Sequence, residues 1–303
     1  MIGMTQSLSK NTQQAVTSGL QDVKTSFKII LKNRVSLAGF IIIIAFVLMA
    51  TIGPVLMPYD RTLHVQDRYL PPSREHLLGT DYAGRDTLAQ IIAGSREVLI
   101  VAFLTAIITT TISIVVGLSS GYLGGKTDTI LMTIADIFLV IPSFPLLLII
   151  VSIIPRILTI LEIALILSLV GWASLARPIR TRVLSLKEEE FIESAKCLGL
   201  SKIHILFNEI FPNLLPYIAM SLVLAIVGAI YSEVSLYFIG ALPYTAANWG
   251  IMMQTAIGEG LINPLTWSYL LSPMLCLVII QTGFILFLHS LEEIFNPRLR
   301  SEA

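Results

Sequence analysis

The sequence predicts an all-α polytopic membrane protein with six transmembrane helices. Hydrophobic residues make up 55% of the chain, charged residues only 13%, and the mean hydropathy is +0.82. These values lie outside the range of ordinary soluble domains. Six apolar runs are long enough to cross a hydrocarbon core about 30 Å thick, which takes roughly 20 helical residues. The formal net charge of zero gives no bulk electrostatic reason to expect a nucleic acid as a partner.

The six apolar runs define the predicted spans, which are 35–57, 98–118, 130–154, 157–176, 214–239 and 267–291. We expect a cytoplasmic N-terminal segment over 1–34, a first transmembrane anchor over 35–57 and an extracytoplasmic loop over 58–97. A five-helix core follows over 98–291, with one long cytoplasmic loop at 177–213, and a cytoplasmic tail at 292–303. Because the first run is too long for a signal-peptide core, we expect it to remain as an anchor in the lipid bilayer.

The distribution of Lys and Arg sets the predicted orientation. Most of the 20 basic residues fall in the N-terminal segment, in the loop at 177–213 and in the tail. The positive-inside rule therefore places both termini and that loop in the cytoplasm. The arginines of the 58–97 loop are accompanied by a similar number of acidic residues.

The stretch SSGYLGGKTD at 119–128 looks at first like a phosphate-binding loop. Such a loop requires G-x-x-x-x-G-K-[ST] between a short strand and a helix. Here Ser120 stands where the first glycine is needed, and a long apolar run precedes the stretch. We therefore predict a tight turn between two membrane helices and no cofactor in this chain. If the protein uses ATP, another chain binds it.

The loop at 177–213 contains the most specific local pattern. Ser185 and Glu188 match a capping box, which predicts the start of a short helix. Gly199 is placed to end that helix in the left-handed conformation, and Ser201 to cap a second one. Pro212 marks the entry to the fifth span. The pattern predicts a helix–glycine–helix elbow at the inner membrane face.

This elbow resembles the Glu-Ala-Ala loop of ATP-binding-cassette importer permeases, a motif of the form E-A-A-x3-G followed by a Leu-Pro-like pair. The matching residues are Glu193, Ser194, Ala195, Gly199, Phe211 and Pro212, with serine replacing the first alanine and phenylalanine the leucine. From about 35 to 298 the chain is similar to the C-type permease subunit of the dipeptide, oligopeptide and nickel importer family. The matching segments are 78–86, 121–128 with Asp136, 142–143, Trp172 with Arg177, 233–240, 249–250 and 296–298, whereas 289–295 departs from the family pattern.

The resemblance implies a type I importer permease fold and a transport subunit without its own ATPase site. The implied partners are a second homologous permease, two cytoplasmic ATP-binding subunits that bind the ATP and Mg, and an extracytoplasmic substrate-binding protein. The implied ATPase-coupling residues are Glu190, Glu193, Ser194, Ala195, Gly199, Phe211 and Pro212, and the outer family segment contributes Asp81, Arg85 and Asp86. The cargo stays open, with peptides as the default and nickel or oligosaccharides as alternatives.

Three ionisable residues fall in predicted spans, where burial in lipid is costly. Asp136 lies near the inner face, where it is expected to reach water or cap the preceding loop rather than relay protons. Glu162 lies near the outer surface and is expected to snorkel. Glu233, deep in the fifth span, is either a pathway residue or a brace held through Ser232 or Ser235.

Aromatic and proline residues give two further expectations. Tryptophans 172, 249 and 267 lie near span ends, where indoles usually sit at the lipid interface. Prolines 142, 145 and 155 are expected to kink or end the third span.

Two other classes of protein fit the composition but not the pattern. A secondary transporter predicts two related halves with broken helices at matching positions, but the first span and the outer loop have no counterpart in the second half. A membrane enzyme requires a catalytic constellation, and the four histidines are scattered over both faces. Cys197 and Cys276 lie far apart in unlike surroundings, which is typical of free thiols rather than of a disulfide or a metal site.

Overall fold

The computed structural model describes residues 33–154, 156–243, 247–261 and 266–295. Its regular elements in these ranges are helices, apart from one isolated β-bridge between Thr80 and Asp86. Five helices are long and apolar enough to cross a membrane, or six if a bent pair counts as one span. The all-α polytopic prediction is confirmed. The predicted N-terminal segment up to residue 32, the kink at Pro155 and the motif at 296–298 lie outside the described residues.

Most of the helices follow one another closely, and a longer connection at 57–86 contains a 3-10 turn, Val65–Asp67. The helices are α1 (Arg34–Thr51), α2 (Gly53–Leu56), α3 (Thr87–Leu123), α4 (Gly125–Val140), α5 (Ser143–Ser152), α6 (Ile160–Lys187), α7 (Glu190–Cys197), α8 (Lys202–His204), a π-helical segment (Ile205–Ile210), α9 (Phe211–Phe238), α10 (Trp249–Gly258) and α11 (Trp267–Phe295).

Helix α3 is the centre of the bundle and packs along α6 and α9, while α1 lies along α11. Glycines bring α3 and α6 into close contact. A Cβ atom added at Gly117 would lie 2.7 Å from the carbonyl oxygen of Ala176, and one at Gly121 would lie 2.8 Å from Cβ of Val183. The Ser113 hydroxyl donates to the Trp172 carbonyl across the same interface at 2.8 Å. Small residues and hydroxyl bridges are the usual means of joining membrane helices, because lipid supplies no hydrophobic drive between them.

The second predicted span begins earlier than its apolar run. Asp86 caps α3 by accepting a hydrogen bond from the backbone N–H of Ala89 at 2.9 Å, and the helix runs from Thr87 without a break. Residues 87–97, which the sequence placed in the extracytoplasmic loop, are therefore the first part of this helix. Between Asp86 and the apolar run the sequence contains no proline and one glycine, Gly94. This glycine packs against Trp249 and does not end the helix.

The third predicted span is broken rather than merely kinked. Helices α4 and α5 meet at 85° across Ile141 and Pro142. Pro142 lacks a backbone N–H and disfavours helical geometry in the residue before it, so the chain changes direction there. Two separate helices therefore occupy the predicted span.

The expected interfacial position of Trp249 is wrong. This side chain is fully buried, and its Nε1–H donates to the Ile91 carbonyl at 3.1 Å. Helix α10, which begins at Trp249, packs between α9 and α11, so the indole lies against protein. Trp172 is also buried and contacts Phe138 edge-on, whereas Trp267 is exposed.

Candidate functional site

The segment 188–210, here called the elbow, has the predicted glycine turn. Gly199 has φ of +74°, and the two hydrogen bonds of a Schellman motif follow α7: Gly199 N–H to the Lys196 carbonyl at 3.0 Å and Leu200 N–H to the Ala195 carbonyl at 3.2 Å. A Cβ atom added at Gly199 would meet nothing within 4 Å. The backbone conformation, not the available space, therefore favours glycine at this position.

The predicted start of the short helix is wrong. Ser185 lies inside α6, which continues to Lys187, and α7 begins only after Glu189, whose side chain makes no cap. Ile179 and Val183 continue the buried face of α6 beyond the predicted end of the fourth span, and Leu186 extends it further. Their packing keeps this stretch helical, so a Ser–Glu pair three residues apart marks no boundary here. The first part of the predicted 177–213 loop is thus helix.

The inner face of the elbow is anchored in the bundle. Ile192 of α7 is fully buried and Ala195 almost so. They belong to an apolar cluster that also contains Leu118, Ile179, Val183, Leu186, Ile205, Ile210 and Leu214. Because this cluster joins α3, α6, α7 and α9, a force applied to the elbow reaches three long helices at once.

The outer face of the elbow is open. The predicted coupling residues Glu190, Glu193 and Ser194 are exposed, as is Cys197. Large apolar side chains stand beside these polar groups, with Leu198 79% and Ile203 72% exposed. An anchored inner face with a mixed apolar and acidic outer face is suited to binding another protein. Of the other predicted coupling residues, Ala195 and Gly199 serve the elbow's own structure.

The elbow enters the next span without a loop. The Ser201 hydroxyl caps α8 by accepting from the His204 N–H at 3.2 Å, as predicted, and the π-helical segment leads directly into α9. Pro212 lies where the π-helical segment passes into α9 and supplies no backbone N–H there. Phe211 contacts Phe207 with ring centroids 6.5 Å apart. The continuous helix can transmit a displacement of the elbow to the membrane span.

An ionic clamp, which the sequence reasoning missed, holds the base of α6 to the turn between α3 and α4. Arg180 donates to both carboxylate oxygens of Asp128, each at 2.5 Å, and Ser120 donates to the same carboxylate. The Lys187 ammonium donates to the Tyr122 carbonyl at 3.1 Å. The turn predicted within 119–128 is present but shorter than that stretch, because α3 continues to Leu123 and α4 begins at Gly125. The sequence did contain a signal for such a clamp. Arg177 and Arg180 lie one helical turn apart, and Asp128 and Asp136 lie about two turns apart on the preceding span.

The ionisable residues predicted in spans have specific partners. Asp136 pairs with Arg177, and both side chains are about half exposed. Glu162 completes a capping box with Thr159 and pairs with Arg156. Glu233 is fully buried and accepts a hydrogen bond from Asn248 at 3.1 Å, a partner other than the expected serines.

At the opposite end of α3, residues 58–86 form a compact segment that we call the cap. Its centre is Asp81, which is fully buried and accepts from Arg85 Nε at 2.8 Å and from the N–H groups of Ala83 and Arg85. Gln90 of α3 donates to Asp81 at 3.1 Å. Asp86, besides capping α3, contacts Nδ1 of His76 at 2.8 Å. Asp81 and Arg85 therefore hold the centre of the cap together, and Asp86 joins His76 to the start of α3.

Comparison with protein families supports the arrangement. A family described as "Binding-protein-dependent transport system inner membrane component" matches residues 113–301, and one described as "N-terminal TM domain of oligopeptide transport permease C" matches residues 23–72. The chain is 32% identical over 270 residues to the oligopeptide transport system permease protein OppC of Bacillus subtilis, covering 88% of this chain and 87% of the relative.

Other relatives agree with this comparison. The dipeptide transport system permease protein DppC of Bacillus subtilis is 29% identical over 273 residues, covering 89% of this chain and 83% of the relative. A chain from inward-facing structures of the MetNI methionine ABC transporter aligns with a TM-score of 0.54 at 16% identity, covering 67% of this chain and 96% of that chain. The likeness supports the predicted importer-permease fold. Since the first family match spans more than half of the sequence, the chain belongs to the family of inner-membrane components of binding-protein-dependent transport systems, as a permease subunit of an ABC importer.

Proposed function

We propose that this permease imports di- and oligopeptides across the plasma membrane. The support is the set of peptide permeases among its relatives, which share most of its length. The proposal places both chain termini and the elbow in the cytoplasm, in accord with the distribution of Lys and Arg. The cap then lies on the extracytoplasmic side, where a substrate-binding protein delivers the cargo.

The observation that carries the proposed mechanism is the two-faced elbow. Its outer face docks on one of two ATP-binding subunits, which hold the ATP and Mg, while a second homologous permease supplies the other half of the pathway. Closure of the ATPase dimer favours one position of the elbow and opening favours the other, so nucleotide state selects a conformation of the spans. The buried cluster and the continuous α8–α9 connection carry that change inward.

The experiment uses the two cysteines, one on the elbow and one in α11. Cys197 is exposed and Cys276 partly buried. We expect a membrane-impermeant maleimide to label Cys197 in inside-out vesicles that contain the two permeases without ATPases. In vesicles with the assembled complex, the docked ATPase should protect Cys197 from the maleimide. Cys197→Ser should abolish the signal, which assigns it. Labelling from outside intact cells would contradict the topology, and equal labelling with and without the ATPases would remove Cys197 from the docking surface.

A further inference from the structure

A pocket of about 730 Å³ opens at the elbow end of the bundle, between α6, α9 and α11. Its volume is within the range of pockets that take small molecules. Arg182 lines it near the end of α6, and Glu292 lines it near the end of α11. None of the described wall residues belongs to the elbow or to the cap. The rest of the described wall consists of Asn213, Pro216, Tyr217, Met220 and Phe295.

The two charged side chains of this pocket are not neutralised by described residues. Arg182 makes no hydrogen bond or ion pair with any of them, whereas Arg180 and Lys187 on the same helix both have partners. The Glu292 carboxylate contacts Nδ1 of His289 at 3.5 Å, which is longer than an ordinary hydrogen bond. The ion pairs among the described residues include none between Arg182 and Glu292. A cation and a carboxylate thus line one open pocket without pairing across it.

The polar and apolar parts of the wall lie at different depths. Arg182 lies beyond the predicted end of the fourth span at 176, and Glu292 just beyond the predicted end of the sixth at 291. Met220 lies inside the fifth apolar run, seven residues or about 10 Å along α9 from Asn213. A wall that is charged at the membrane surface and apolar below it matches a phospholipid, whose headgroup lies above its acyl chains.

The hydrogen-bonding groups of the wall suit two different parts of such a headgroup. The ring of Tyr217 packs against the apolar cluster that anchors the elbow, and its hydroxyl is not enclosed and makes no hydrogen bond with a described residue. A hydroxyl and a guanidinium both donate, and phosphate oxygens are strong acceptors for arginine. An ionised carboxylate only accepts, so Glu292 suits a cation with N–H groups.

We propose that this pocket binds a zwitterionic phospholipid with a primary ammonium headgroup, its phosphate on Arg182 and Tyr217 and its ammonium beside Glu292. Basic pockets between membrane helices bind anionic headgroups. Here the added carboxylate selects a headgroup that carries both charges, because a purely anionic one would be repelled by Glu292. A lipid in this position lies against Tyr217, and so against the cluster that anchors the elbow. The inference requires a chain that spans the membrane and is independent of the cargo.

The first test measures how tightly the assembled complex, purified and stripped of lipid, binds palmitoyl-oleoyl phosphatidylethanolamine in native mass spectrometry. We expect Arg182→Gln to weaken this binding at least about fivefold, because a charge-assisted hydrogen bond to the phosphate is lost. Lys126→Gln is the matched control. It removes one exposed cation from the turn between α3 and α4 at the same end of the bundle and should bind like wild type. Equal binding by the two variants would show unspecific lipid only and overturn the proposal.

The second test exchanges the headgroup. We expect the wild-type complex to prefer palmitoyl-oleoyl phosphatidylethanolamine over the phosphatidylglycerol with the same chains by about threefold, and Glu292→Gln to remove this preference, since the half-exposed carboxylate no longer repels the anionic lipid. A preference that persists in Glu292→Gln would overturn the proposal. The same spectra report the subunits present. Loss of an ATPase or of the second permease from Arg182→Gln, with lipid binding unchanged, would assign the pocket to a protein interface and would also overturn the proposal.

Discussion

The cap and the elbow are both short segments at the ends of α3 and α6, yet they treat their charges in opposite ways. In the cap, Asp81 and Arg85 are buried against each other, and Asp81 also accepts from Gln90 of α3. In the elbow, Glu190 and Glu193 point away from the bundle and are exposed. Among the residues that the structure describes, apolar side chains anchor α7, chiefly Ile192.

The buried charges of the cap therefore stabilise the chain itself, whereas the exposed charges of the elbow are free to contact a partner protein. A buried carboxylate with several donors fixes one local conformation, because losing any of those bonds is costly. Exposed acids beside exposed apolar groups contribute little to the stability of the isolated chain. Charge changes in the cap should therefore affect folding, and changes on the elbow should affect coupling. The predictions that follow are ordered from the largest expected effect to the smallest.

Asp81→Asn should destabilise the chain most. The substitution leaves the buried Arg85 guanidinium without the opposing carboxylate charge, and breaking a buried pair costs about 3–5 kcal/mol. Denaturation of the purified protein in detergent measures the effect. Glu75→Gln, an exposed acid of the same segment, is the control and should be close to wild type. Equal stability of the two variants would mean that the cap does not depend on its buried charge.

Gly199→Val should impair coupling with a smaller loss of stability. A β-branched residue in the left-handed region costs of order 1–2 kcal/mol, and the strain falls on the turn that holds α7 to α8. We expect transport and cargo-stimulated ATPase activity of the assembled complex to fall by about tenfold or more while the spans remain inserted. Gly199→Asn, which tolerates positive φ, should retain most activity. Full coupling in the valine variant would show that the turn is not needed at its present geometry.

The sequence predicted the features that depend on local chemistry. Five of the six apolar runs located single helices long enough to span a membrane, because lipid requires continuous apolar length, and Gly199 located the turn because few residues adopt positive φ. It failed where tertiary packing decides. The burial of Val183 extends α6 through Ser185, and Asn248 becomes the partner of Glu233 only when α10 folds back between α9 and α11.

The site was predicted unevenly for the same reason. The family pattern marked the coupling residues, but the bidentate pair of Arg180 and Asp128 joins positions far apart in the chain. Such features arise from which helices meet, and no local pattern in a single sequence specifies that.

Ile203→Ser should change coupling with little effect on stability. Its side chain is 72% exposed, so the substitution removes almost no buried contact, and a change within about 0.5 kcal/mol is expected. If the elbow's outer face docks on an ATPase, the variant should bind that subunit several-fold more weakly in a pull-down titration. Leu63→Ser, at a similarly exposed position of the cap, is the control and should leave ATPase binding unchanged. Weakening by both variants alike would contradict the assignment of the docking face.

The smallest effect on transport is expected from Asp136→Asn, and this variant tests whether a half-exposed pair beside the clamp behaves like the charges of the cap or of the elbow. Asp136 and Arg177 are 51% and 52% exposed, whereas Asp128 and Arg180 are 19% and 28% exposed. Water screens the exposed pair, so its loss should cost at most about 1 kcal/mol and vanish at high salt. Asp128→Asn is the matched comparison. It removes a charge-assisted bidentate contact and should cost about 1.5–3 kcal/mol, with weaker dependence on salt. Denaturation midpoints at two salt concentrations give both values. A loss of transport in Asp136→Asn with unchanged stability would instead make this carboxylate part of the pathway, since removing an exposed structural pair gives no reason for such a loss.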